Sequence, residues 1–309
     1  MQPVTIQPLD PEVAAATGVI ELGNLSQVDL SVYRLEFPLG ALSDVVTRTD
    51  IGVPGDPTVP IRVHREAEAE GALPCVYSIH GGGYILGSYS MDDAKFDHWC
   101  PALGIVGVSV EYRLAPEHPY PAPLEDCYRG LKWIYDHAAE IGVDPDRIGI
   151  AGVSAGGGLA AALALVARDR GEVPVAFQLL DCPMLDDRQQ TVSSQLDGLA
   201  VWSKESNTFG WRSYLGDLYG TNEIPYTAAP ARCDDLSKLP PAFVSVGTVD
   251  GFRDEDIAYA TRLNQAGVPC ELHVYPGACH GYQIAVESAI ARRSQRDVID
   301  WIARQITQL

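Results

Sequence analysis

A serine hydroxyl attacks a carbonyl only when a base takes its proton and an acid orients that base. Ser154, Asp250 and His280 stand in the chain order that such a constellation takes when the serine follows a strand of a parallel sheet. Ser154 lies in Gly152-Val153-Ser154-Ala155-Gly156, after the apolar run Arg147–Ala151 and before the helix-forming run Leu159–Ala167. A strand that turns straight into a helix brings backbones close together. Gly152 and Gly156 lack the Cβ atoms that would collide there. The chemistry on offer is acyl transfer through a serine ester.

Only His273 and His280 follow Ser154. His273 alternates with Leu272 and Val274 in a strand-like run and reads as structural. His280, in Gly277-Ala278-Cys279-His280-Gly281, falls in a loop beyond that strand and is the candidate base. Asp250 follows the buried-strand run Ala242–Val249 and is favoured as the acid over Asp181, which ends another strand. Asp254, Glu255 and Asp256 read as the first turn of a helix, where carboxylates favour the dipole. His80-Gly81-Gly82-Gly83 follows the run Leu73–Ile79, and its glycines let backbone N–H groups turn toward an oxyanion. No glycine cluster has the spacing of a dinucleotide or phosphate-binding loop.

The elements that must hold these groups alternate. Strand-like runs at 73–79, 104–110, 148–151, 175–180, 242–246 and 271–275 interleave with helix-like stretches at 91–102, 123–141, 155–170, 254–266 and 284–307. That order predicts a mostly parallel sheet with helices on both faces. Residues 45–51 and 59–64 read as an antiparallel pair at its edge, with His64 facing solvent. Asp10-Pro11 opens a helix expected over 10–22, while residues 23–44 show no clear period despite Leu25, Leu35 and Phe37. Residues 185–225 hold Trp202, Phe209, Trp211, Tyr214 and Tyr219 but no strand pattern, as expected of an insertion over the carboxyl ends of the strands.

Five stretches together resemble the bacterial hormone-sensitive-lipase-like esterases. They are His80–Tyr84, Tyr112-Arg113-Leu114-Ala115-Pro116-Glu117-His118-Pro119-Tyr120-Pro121-Ala122, Gly152–Gly157, Asp250–Glu255, and Tyr275-Pro276-Gly277 with His280-Gly281. The resemblance implies an α/β-hydrolase fold, an eight-stranded mostly parallel sheet with a helical cap. It implies hydrolysis of short- to medium-chain carboxylic esters with no cofactor and no metal. By motif position it implies Ser154, Asp250 and His280 as the triad, and the N–H groups of Gly82, Gly83 and Ala155 as the oxyanion hole. His80 in such proteins braces its loop. Tyr84, Val153, Trp202 and Phe209 are the candidate pocket residues; at Val153 the family commonly has Asp or Thr. The domains expected are a cap segment at 1–44, a catalytic domain at 45–184 and 226–309, and a cap insertion at 185–225. Homodimers form through the last sheet edge in similar proteins, for which Glu271–Tyr275 is the candidate here.

Composition narrows the partners. The 309 residues carry a formal charge of -19, which repels nucleic acid and anionic membrane. The first residues show no signal peptide, and the longest apolar run, 159–167, is short of a membrane span. Seven cysteines without a C-x-x-C pair read as free thiols in a reducing cytoplasm. Two other readings keep the same fold: a small-molecule binding protein without catalysis, and an amidase or peptidase with the same triad.

Overall fold

The computed structural model describes residues 6–18, 24–34 and 41–307. Residues 19–22 of the expected first helix, and Leu35 and Phe37, lie outside them. Helix α1 (Pro11–Thr17) starts where Asp10 accepts from the N–H groups of Glu12 and Val13. A short helix, α2 (Leu30–Tyr33), precedes the edge strands β1 (Val46–Val53) and β2 (Val59–Glu66). Then follow β3 (Leu73–Ile79), α3 (Asp93–Leu103), β4 (Val106–Val110), α4 (Ala122–Asp136), β5 (Val143–Val153), α5 (Ala155–Arg170) and β6 (Gln178–Asp181). The chain closes with α6 (Lys204–Leu215), β7 (Ala242–Val249), α7 (Arg253–Gln265), β8 (Cys270–Cys279) and α8 (Ala289–Thr307).

The strands form one eight-stranded sheet in the order β1-β2-β4-β3-β5-β6-β7-β8. Both pairings of β2 are antiparallel and the rest are parallel. β4 is buried at every position and β7 at all but one, the mark of strands covered on both faces. One apolar core packs α4, α5 and α7 on one face, through Leu131, Leu163 and Leu263. The other packs α3 and α8 on the opposite face, through Phe96, Trp99, Trp301 and Ile302. α5 is buried from Ala155 to Ala167, so its apolar surface runs all the way round. A helix fixed in that way holds its first residue still.

His64 departs from the sequence expectation. It is fully buried, its Nε2 lies 2.7 Å from Asp93 Oδ1, and its ring packs 4.9 Å from Phe96. β1 occupies the outer position, so β2 has neighbours on both sides and α3 lies against it. The sequence pattern located the antiparallel pair but not which of its strands is outermost.

Residues 185–225 contain α6 and, as expected, no strand. Ser203 Oγ caps α6 by accepting from Ser206 N at 3.2 Å. α6 packs on the N-terminal turn Leu25–Gln27. Arg34 ties the same N-terminal segment to the body, donating to the carbonyls of Ile85 at 2.8 Å and Ala115 at 2.7 Å.

A Cβ on Gly152 would overlap the Gly156 carbonyl, and one on Gly156 would overlap the carbonyls of Ile79 and His80. These neighbours are backbone and cannot rotate away. Gly152→Ala is expected to lose about 1–3 kcal/mol of stability, the usual range for overpacking. Urea unfolding should show a lower midpoint with an unchanged slope.

Candidate active site

Ser154 links β5 to α5 at φ 58° and ψ -121°, a conformation that a residue with a Cβ adopts at a cost. Three backbone hydrogen bonds hold it there. Its N–H donates to Asp181 O at 2.8 Å, and its carbonyl accepts from Gly158 N at 3.0 Å and Met184 N at 2.9 Å. Ser154 is only 5% exposed.

His280 follows the last residue of β8, and Asp250 follows the last residue of β7. His280 Nε2 lies 2.9 Å from Ser154 Oγ, and Nδ1 lies 2.9 Å from Asp250 Oδ2. A carboxylate only accepts, so the ring proton sits on Nδ1 and Nε2 is free to accept from the serine hydroxyl. Asp250 Oδ1 accepts from Phe252 N at 2.9 Å, which leaves Oδ2 for the ring. Phe252 packs edge-on to the imidazole at 5.1 Å and Trp202 tilts over it at 6.4 Å. Asp181, the other candidate acid, binds Ser245 Oγ at 2.6 Å and Gln283 Nε2 instead.

The glycine loop lies against this turn. Gly82 and Gly83 adopt φ of 114° and 59°. Among the described residues the N–H groups of Gly82, Gly83 and Ala155 donate to no protein acceptor. A Cβ on Gly81 would stand 3.4 Å from Ser154 Cβ, and one on Gly83 would overlap the Trp202 indole. His80 does not face the serine. Its Nδ1 donates to Gly81 O at 2.8 Å, and its ring stacks on Tyr112 at 4.2 Å. The Tyr112 hydroxyl donates to His80 O at 3.0 Å. Burial pushes the His80 imidazole down to about 4, so it stays neutral at pH 7.

The candidate pocket residues separate. Trp202 overlies Gly83 and His280, and half-buried Val153 adjoins the serine. Tyr84 is buried, stacked on Tyr214 at 4.0 Å, with its hydroxyl donating to Met184 O at 3.1 Å. It fastens residues 185–225 to the body. Phe209 lines a separate depression of about 250 Å³ with Asn24, Ser26 and Arg212, and no member of the Ser154–His280–Asp250 chain borders it.

The sequence did not show how many acids are buried here. Glu255 and Asp256 begin α7 but point inward, 3% and 0% exposed. Only Asp254 stays at the rim, beside Arg253 and Ser193 N. Glu255 Oε1 accepts from Leu185 N and Asp186 N, which fixes the start of the 185–225 segment. Among the described residues both oxygens of Asp256 lack a protein partner, and burial holds its carboxyl well above the usual range. The signal was present as helical spacing: Phe252, Asp256, Tyr259 and Leu263 share the buried face. Cys182, immediately after β6, also lies within 4.8 Å of Asp250 and His280.

A family model described as the alpha/beta hydrolase fold matches residues 76–284. The chain belongs to the α/β-hydrolase family, in its hormone-sensitive-lipase-like branch. The carboxylesterase NlhH of Mycobacterium tuberculosis is 39% identical to this α/β-hydrolase over 235 residues, 75% of this chain and 73% of that one. An arylesterase of Saccharolobus solfataricus is 31% identical over 294 residues, 89% and 92% of the two chains. A solved structure of a bacterial heroin esterase superposes with a TM-score of 0.93 at 40% identity, covering 98% of this chain and 99% of that one.

A buried carboxyl that holds its proton when folded and releases it when unfolded lowers stability as pH rises. Asp256→Asn removes that term. The variant should gain stability over the wild type at pH 8 and lose the advantage as pH falls toward 4, in denaturant titrations across that range. Each pH unit in that window is worth about 1.4 kcal/mol at most.

Proposed function

We propose that this α/β-hydrolase is a serine carboxylesterase that acts through an acyl-enzyme on Ser154. The observation that carries the reading is His280, hydrogen-bonded at once to Ser154 Oγ and to Asp250, each at 2.9 Å. Ser154 Oγ attacks the ester carbonyl as its proton passes to Nε2 of His280. Asp250 stays ionised and holds the imidazolium. The developing oxyanion takes the N–H groups of Gly82, Gly83 and Ala155, each worth roughly 3 kcal/mol in such holes. His280 then returns the proton to the departing alkoxide. Water repeats the sequence on the acyl-enzyme, releasing the acid and restoring Ser154.

The esterases among its relatives support a carboxylic ester as substrate. Trp202, set over Gly83 and His280, favours short to medium acyl chains, since it closes the space above the oxyanion loop. Residues 185–225 and the N-terminal segment then act as the cap, joined through α6 and Leu25–Gln27. No observation favours a binding protein without catalysis, because the base it would lack is present and engaged. Among the described residues no helix is long and apolar enough to cross a membrane. Seven free thiols, six of them buried, support the cytoplasm as the compartment. The outer position of β8 supports a homodimer through that edge.

Ser154→Ala should lower kcat on a short p-nitrophenyl ester by roughly 10⁴-fold or more with the fold intact. Asp250→Asn should lower it by roughly 10⁴-fold through loss of the correct tautomer. Asp181→Asn should keep most of the activity. Steady-state kinetics on the three variants checks the set, and the assignment of the acid is wrong if only the Asp181 change abolishes turnover.

A further inference from the structure

The Cys182 thiol has no part in this mechanism, yet it lies among its residues. We propose that Cys182, Asp250 and His280 form a binding site for a thiophilic divalent cation of the zinc or cadmium class, and that its occupancy switches Ser154 off. The inhibitory consequence rests on the triad reading above; the binding does not.

The three ligands come from corresponding places. Cys182 follows β6, Asp250 follows β7 and His280 follows β8, three adjacent parallel strands. One thiol sulfur, one carboxylate oxygen and one ring nitrogen lie within 4.8 Å of one another. Ligand atoms around a tetrahedral zinc ion with bonds near 2.1 Å stand roughly 3.4 Å apart. The Asp250–His280 pair, 2.9 Å apart, opens slightly and the Cys182 sulfur swings in to complete the set. Cys182 is held in place, with its N–H donating to Ser245 O at 2.6 Å and φ at 40°. A soft sulfur with one nitrogen and one oxygen suits zinc or cadmium better than magnesium or calcium.

Charge favours a cation as well. Asp181, Asp250, Glu255 and Asp256 are all at least nine-tenths buried around this point. Among the described residues none of the four is hydrogen-bonded to an arginine or lysine. A divalent ion offsets the carboxylate charge of Asp250, whose own partners are the Phe252 N–H and the His280 ring.

The exchange balances. The thiol releases one proton to solvent and becomes a thiolate. The ring nitrogen that faces Asp250 is Nδ1, so the ion binds there and the ring proton moves to Nε2. Thiolate and carboxylate neutralise the ion, and the imidazole stays neutral. Nε2 now carries hydrogen toward Ser154 Oγ and can no longer accept the hydroxyl proton. The serine loses its base.

The test adds zinc chloride or cadmium chloride to the full chain in a non-chelating buffer. It follows both ester hydrolysis and the thiolate-to-cadmium charge-transfer absorption. The wild type should bind one cadmium per chain, show the band, lose activity in step with it and recover with EDTA. Cys182→Ala and Cys182→Ser should keep turnover, lose the band and need at least tenfold more metal for inhibition. Cys270→Ala, which removes a partly exposed thiol elsewhere, should behave as the wild type. Zinc-edge X-ray absorption on the wild type should show one sulfur among nitrogen and oxygen neighbours, a readout that needs no variant. Equal inhibition of the Cys182 variants, loss of the band in Cys270→Ala, no metal effect on the wild type, or a zinc shell with no sulfur or several would each overturn the proposal. If the protein hydrolyses no ester at all, the esterase reading fails while the absorption band still decides the metal site.

Discussion

The whole site depends on one backbone constraint: Ser154 is kept in a conformation that it would not choose. Positive φ at a residue with a Cβ persists only where the surroundings hold it. Here Asp181 O, Gly158 N and Met184 N grip the peptide groups of Ser154 on both sides. The missing Cβ atoms of Gly152 and Gly156 let α5 start against the ends of β5 and β3. Because α5 is buried along nearly its whole length, the turn cannot relax by moving the helix. The serine oxygen is thereby placed where the loops after β7 and β8 converge, beside the free N–H groups of the glycine loop.

A second constraint is the concentration of acids under this turn. Asp250 is stabilised by Phe252 N and by the His280 ring. Asp181 is anchored by Ser245 and Gln283, and Glu255 by two amides. Asp256 has none of these supports, and burial keeps its proton on. Asp250 alone orients the His280 ring, while Asp181 and Glu255 are turned to other partners. Such a cluster weakens the fold as pH rises, which is one way an active site lowers the stability of the structure that carries it.

Much of this was legible in the sequence because local chemistry dictated it. Gly152, Gly156 and the apolar runs beside them leave few conformations for the turn, and the strand–helix alternation fixes a parallel sheet. Asp250 and His280 could be picked out because each directly follows a strand. Three features were not legible, each for a reason of three-dimensional neighbourhood. His64 depended on whether β1 or β2 lay outermost, which pairing alone decides. Glu255 and Asp256 look like helix-dipole carboxylates until the helix face is known. Tyr84 and Phe209 share aromatic character with Trp202, but of the three only Trp202 lies over Gly83 of the glycine loop.

The central claim is that Ser154 is an activated nucleophile and that His280 activates it. The most direct measurement is covalent labelling of the native protein with a fluorophosphonate, with the adduct located by peptide mass spectrometry. The account predicts one phosphonyl group per chain, on Ser154, and a labelling rate that collapses in a folded His280→Gln variant. A native protein that takes no label, that takes it on another residue, or that labels equally fast without His280 would contradict it.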